Sequence, residues 1–262
     1  MQSNSENVGM FIEAWKLMVG RLPGAEIEQA DGVATMLGHV PLPFFNFSVI
    51  DRPLADADDL RGALAVIRKR ASACEYASMT GLCDAWAPVD WVRVAAEEGF
   101  AVAMNTTGME APQLLPPRRP LPDLDLRRVN DEATARDLAM VNAAAYGMPG
   151  ELFECMCNLY LWHEDSHGYV GYAEGRAVTA AAAFPVAGTV YMALVATLPE
   201  AHGKGYAEAV MRHAIAEAQR AMGFSRVTLH ATDMGQPLYQ AMGFGAGAKV
   251  VVLVQADGSA GH

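Results

Sequence analysis

The residues best suited to chemistry fall in one run, Val190-Tyr-Met-Ala-Leu-Val-Ala-Thr-Leu-Pro-Glu-Ala-His-Gly-Lys-Gly-Tyr-Ala-Glu-Ala-Val210. An apolar strand pattern ends, and a short loop carrying Gly203 and Gly205 opens a helical pattern. Glycines let a backbone approach a ligand closely, and a helix N-terminus offers free N–H groups with partial positive charge. That combination suits an anion, most often a pyrophosphate, although an ordinary strand–helix turn can carry the same two glycines. Two common phosphate loops fit poorly. A nucleotide-hydrolysing loop needs Ser or Thr after Gly-Lys, and Lys204 is followed by Gly205 and Tyr206. A dinucleotide loop needs a third small residue three places after the second glycine, where Glu208 stands.

A second run, Leu229-His-Ala-Thr-Asp-Met-Gly-Gln-Pro-Leu-Tyr239-Gln-Ala-Met-Gly243-Phe244, reads as a strand followed by a short helix bearing a tyrosine. With the first run it resembles the GCN5-related N-acetyltransferase family, whose cradle reads Arg/Gln-x-x-Gly-x-Gly/Ala. The matching residues are His202-Gly-Lys-Gly205-Tyr-Ala207, preceded by Thr-Leu-Pro-Glu, and the resemblance covers about 130 residues from Leu124 to Gln255. It implies an α/β (α+β) fold, with a mixed, mostly antiparallel central sheet flanked by helices. It also implies acetyl-CoA as co-substrate and no metal. The pantetheine arm would pair along Leu194, Val195, Ala196 and Thr197. His202, Gly203, Lys204, Gly205, Tyr206 and Ala207 would hold the pyrophosphate. A backbone N–H near Val195 would face the oxyanion, and Tyr239 would protonate the leaving thiolate. The acceptor implied is a primary amine of a small molecule or peptide, attacking directly. His202 departs from the family's Arg or Gln and offers less charge.

The base that deprotonates the amine is not singled out by the sequence. Glu151, Glu154, His163, Glu164, His230 and Asp233 are candidates, and a water chain is an equal one. A helix expected over Glu151–Trp162 would carry Glu151, Glu154, Tyr160 and Trp162 to the acceptor pocket. Small Ala193, Ala196 and Ala231 leave room for an acyl group longer than acetyl. A CoA-binding sensor or scaffold without transferase activity is the alternative.

The elements that must position these residues repeat along the chain. The second half reads as strand 124–129, helix from Asp131 to Tyr146, strands 168–173, 177–185 and 190–197, helix 205–222, strand 226–231, helix 236–242 and strand 248–255. The first half reads similarly, with Gly99-Phe100 lying 144 residues before Gly243-Phe244. This is the mark of a diverged tandem copy. Its counterpart of the cradle, Asp51-Arg-Pro-Leu-Ala-Asp-Ala-Asp-Asp59, is acidic and lacks the glycines, so it would repel pyrophosphate. Pro112, Pro116, Pro117, Pro120 and Pro122 mark a linker, dividing the chain into an acetyltransferase-like domain 1–105, a linker 106–122 and an acetyl-CoA-binding domain 123–262.

Composition sets the outer limits. The 262 residues are 52% hydrophobic and 19% charged, with net charge −11, as expected of a globular chain that binds no nucleic acid. Four scattered cysteines suggest reduced thiols in the cytoplasm, and Cys155-x-Cys157 has no second pair to complete a zinc site. The uncharged stretch Val178–Leu198 is long enough to span a bilayer, but Pro185, Gly188 and Thr189 at its middle favour two strands over a membrane helix. No membrane partner is expected, and a homodimer stays open.

Overall fold

The computed structural model describes residues 3–256. In chain order the elements are α1 (Asn4–Val19), β1 (Glu26–Ala30), β2 (Val33–Leu37), β3 (Asn46–Ile50), α2 (Ala57–Ala71), β4 (Met79–Cys83), α3 (Trp91–Glu97) and β5 (Phe100–Ala111). There follow β6 (Asp125–Arg128), α4 (Glu132–Tyr146), β7 (His167–Ala173), β8 (Arg176–Val186), β9 (Thr189–Thr197), α5 (Tyr206–Met222), β10 (Val227–Thr232), α6 (Gln236–Ala241) and β11 (Gly245–Gln255).

These elements form two compact units. The first takes the described residues up to Met109, with Ala231–Gln236 and the described residues from Ala246. Its strands lie in the order β1-β2-β3-β4-β11-β5. The β1–β2, β2–β3 and β4–β11 pairs are antiparallel and β3–β4 is parallel. The second unit takes Glu110–His230 and Pro237–Gly245, with strands in the order β10-β9-β8-β7-β6. Three of its pairs are antiparallel and β9–β10 is parallel. Each unit thus runs three antiparallel strands, then a helix crossing to a parallel strand: β1-β2-β3-α2-β4 and β7-β8-β9-α5-β10. A parallel pair needs such a crossover, and its strands are buried on both faces; β3 and most of β4 are buried accordingly.

The mixed, mostly antiparallel sheet matches expectation, and so does the Val178–Leu198 stretch. It forms β8 and β9, joined at Ala187-Gly188 with φ of 45° and 74°. Two left-handed residues are what a tight hairpin turn requires. No helix among the described residues is long and apolar enough to cross a membrane.

Three expectations need correction. The proposed linker from residue 106 is still strand up to Ala111, where Thr106 Oγ1 donates to the Val250 carbonyl at 3.0 Å. Irregular backbone begins at Pro112, the first residue with no N–H to give a ladder. The helix over Glu151–Trp162 is instead a short 3₁₀ segment, Gly150–Met156. Asn158 Oδ1 accepts the Tyr160 N–H at 3.1 Å, a local side-chain bond that competes with helix. The last strand does not stay with the second half. β11 pairs with β4 at Val250↔Cys83 through Val254↔Met79, and Val251 and Leu253 pack in one buried cluster with Leu60, Leu64, Leu82 and Val94.

Candidate active site

The site is built on a defect in β9. Ala193 pairs with Ala182 and Ala196 with Ala180, so Leu194 and Val195 together face one residue of β8. Leu194 has φ of 53°, a left-handed backbone that a side chain ordinarily avoids. Such a bulge re-aims the peptide groups on either side. The β9–β10 ladder covers Val190–Met192 against Val227–Leu229, so Leu194–Thr197 lie beyond it. Asn142 holds the bulge from α4. Its side chain is fully buried, and its Nδ2 donates to Leu138 O at 3.0 Å and Leu194 O at 3.4 Å. Its Oδ1 is buried without a partner. A polar residue among Leu138, Ala139, Val141 and Ala143 was the sequence signal for Asn142, and it was missed.

Beyond β9, Pro199–Ala201 make a single 3₁₀ turn and the chain enters α5. Gly203 has φ of 76° and Gly205 of 81°. Gly205 is the N-cap of α5, and no side chain caps it. A Cβ at Gly203 would meet nothing within 4 Å, so the loop is open on that side. The Cβ of Gly205 would lie 3.4 Å from Pro122 Cδ. No side chain therefore covers the first N–H groups of α5, the opening that an anion site requires. Glu208, in the first turn, is held by Arg212, with Nε donating to Oε1 at 2.9 Å. His202 turns back from the cradle: its Nε2 donates to the Thr197 carbonyl at 3.0 Å, tying the loop to the end of β9. Lys204 Nζ lies 5.9 Å from the centre of the Tyr206 ring.

Tyr239 sits on α6, 8% exposed, with its ring 5.9 Å from that of Phe244. Phe244 N–H donates to the Tyr239 carbonyl, which locks the turn after α6. Burial raises the Tyr239 phenol well above its usual range, and the nearby Tyr146 phenol adds to the rise. The hydroxyl is therefore protonated throughout the neutral range.

The residues expected at the acceptor pocket lie in different surroundings. Glu151, Glu154 and Tyr160 are exposed. Trp162 is a core residue instead. Its Nε1 donates to Met156 O at 3.1 Å, its ring lies 6.3 Å from Phe184, and it packs where a Cβ on Gly168 would be. His163, Glu164 and Asp233 are exposed. His230 Nδ1 contacts the Tyr191 hydroxyl at 3.0 Å, and burial lowers its pKa to about 3, which makes it a poor base near neutrality. Among the described residues no group of three or more His, Cys, Asp or Glu is placed to hold a metal.

The corresponding helix of the first unit is capped by its own side chain, with an acidic first turn. Asp56 caps α2 by accepting the Asp59 N–H at 2.9 Å, and Asp59 accepts both Arg52 guanidinium nitrogens at 2.7 and 2.6 Å. The Asp56 carboxylate thus occupies one N–H that a phosphate would use, and Asp59 sets a second negative charge in the first turn. The Arg52 bond holds the Asp59 pKa down to about 2. Because the folded value lies below the unfolded one, this pair stabilises the fold above pH about 4 and fades as pH falls towards 2. Asp59→Asn should cost about 1 kcal/mol at pH 7. It should also flatten the acid limb of a stability-versus-pH curve between pH about 4 and 2; an unchanged limb would refute the link.

Residues 138–244 match the model of the acetyltransferase (GNAT) family. No curated protein matches the chain. Among solved structures, the GCN5-related N-acetyltransferase from Kribbella flavida superposes with a TM-score of 0.70 at 19% identity, covering 96% of each chain. A functionally unknown conserved protein from Staphylococcus epidermidis gives 0.66 at 16% identity, over 88% of this chain and 94% of that one. The GCN5-related N-acetyltransferase from Sphaerobacter thermophilus gives 0.57 at 13%, over 96% and 92%. At these identities the likeness is one of fold, and it extends over nearly the whole chain.

Proposed function

Because residues 138–244 carry an acetyltransferase (GNAT) family domain, we propose that this protein is an N-acyltransferase that moves an acyl group, acetyl in the simplest case, from CoA to an amine. The observation that carries the reading is the uncapped N-terminus of α5, entered through two left-handed glycines directly after the bulged strand β9. The residues fit the cofactor: N–H groups from Gly203 to Ala207 would take the pyrophosphate, and the free edge of Leu194–Thr197 would take the pantetheine amides. Bound there, the CoA thioester supplies an activated acyl group and a thiol leaving group. The Val195 N–H, set beside the left-handed Leu194, donates to developing negative charge on the acyl oxygen. The Tyr239 hydroxyl donates the proton that the leaving sulfur needs. The acceptor is a primary amine of a small molecule or peptide. The first unit, a tandem copy with its helix N-terminus capped by Asp56 and made acidic by Asp58 and Asp59, binds no CoA.

The test is release of free thiol from acetyl-CoA across a panel of amines. Amine-dependent release supports transfer, whereas CoA binding without release favours a sensor. The protein's own thiols interfere little: Cys74, Cys83 and Cys157 are buried, and burial pushes the Cys155 thiol up to about 12. Asn142 provides a second check. Asn142→Leu removes the donor to Leu194 O and also the unpartnered Oδ1, at similar volume. Stability should hold, since an orphaned polar atom costs about 1–3 kcal/mol, while kcat should fall roughly tenfold as the bulge loses its tether. Unchanged kcat would reduce Asn142 to packing.

A further inference from the structure

The irregular segment after β5 is a strap with two anchors in the second unit, and its basic residues have no task in the chemistry above. Near its start, Leu115 N–H donates to the Met242 carbonyl at 2.9 Å, just past the helix that bears Tyr239. Leu115 also fills the space beside Gly243, where a Cβ would come within 2.9 Å of Leu115 Cγ. At its other end Pro122 packs on Gly205, the N-cap of α5. Between the anchors run Pro116-Pro117-Arg118-Arg119-Pro120-Leu121. The prolines fix φ and hold the run extended. Both arginines are exposed, and neither has a hydrogen bond or ion pair among the described residues. Other arginines of this acidic chain, such as Arg52, Arg61, Arg93, Arg212 and Arg226, are each held by a carboxylate.

We propose that Arg118 and Arg119 bind the phosphates of CoA, replacing the charge that the cradle lacks at His202. This rests on the CoA-binding reading given above. Arg119 stands three residues from Pro122, so its Cα lies within about 11 Å of the residue touching the cradle glycine, a span that an arginine side chain covers most of. Within Pro199–Glu208, Lys204 is the only permanent cation, set against Glu200 and Glu208. His202 is turned to the Thr197 carbonyl. CoA carries a diphosphate and a ribose 3′-phosphate, so a cradle with one lysine is undercharged for it. Guanidinium groups suit phosphate oxygens by geometry as well as charge. The strap's rigidity lowers the entropy cost of presenting the pair.

Calorimetry on the full-length protein tests this, comparing the unaltered chain with Arg118→Gln/Arg119→Gln against CoA, 3′-dephospho-CoA and phosphate-free pantetheine. The double variant should bind CoA about 10- to 100-fold more weakly, with an unchanged melting temperature because both side chains are exposed and unpaired. A loss for CoA alone assigns the pair to the 3′-phosphate. An equal loss for dephospho-CoA assigns it to the diphosphate, and both outcomes support the proposal. Equal CoA affinity in the two proteins overturns it, as does an equal loss for phosphate-free pantetheine. Failure of the unaltered protein to bind CoA would remove the functional reading itself, and the strap's role with it. Failure confined to the variant comparison leaves that reading standing.

Discussion

Tyr239→Phe should lower kcat by roughly 10²–10⁴, the range for general acid–base assistance, while CoA binding stays intact. The substitution removes only a hydroxyl. The ring beside Phe244, 5.9 Å away, is kept, and so is the backbone bond from Phe244 N–H to the Tyr239 carbonyl. The pH profile distinguishes chemistry from packing. Burial raises this phenol, so the unaltered enzyme should keep its acid form to higher pH than an ordinary tyrosine would. Its alkaline limb should lie correspondingly high and should vanish in the phenylalanine variant. Normal turnover in the variant would leave Tyr239 as a packing residue, with the sulfur leaving unassisted or taking its proton from water.

Gly205→Glu should abolish measurable CoA binding, a loss of at least about 100-fold, through two additive effects. At φ of 81° any side chain strains the backbone, by about 1–3 kcal/mol. The carboxylate would also stand at the open end of α5, where the free N–H groups would bind it in place of phosphate. Gly205→Ala separates the two effects, since it adds only the strain and a methyl group in ordinary contact with Pro122. Calorimetry should order the affinities Gly, then Ala, then Glu. Retained affinity in the glutamate variant would place the cofactor elsewhere.

The strand–cradle–helix run was legible in the sequence because its parts are local. Glycine spacing, apolar strand and helix periodicity all fall within Val190 to Met222. The hairpin of β8 and β9 was legible for the same reason. What could not be read depends on partners distant in sequence or on side-chain direction. Nothing in the spacing says that His202 turns back to Thr197 instead of facing an anion, or that Trp162 swings over Gly168 into the core. The acidic run Asp51–Asp59 lacks the glycines on its face, but nothing in it says that Asp56 caps α2 or that Asp59 turns back to Arg52 and the Ala55 N–H. The alternation of β11 suits any neighbouring strand, so its pairing with β4 was invisible.

That pairing bears on how the chain is made. Synthesis proceeds from the N-terminus, and domains usually fold in the order they emerge. Here the sheet of the first unit lacks the strand between β4 and β5 until Val250–Val254 have been released from the ribosome. The second unit ends at Gly245 and has all its strands before then. The part of the protein translated first must therefore be completed last. Until then it carries two exposed strand edges, which invite mispairing. The acidic, fully exposed β1 and the Arg–carboxylate pairs of α2 and α3 place charge on the surface of the unit that waits for β11.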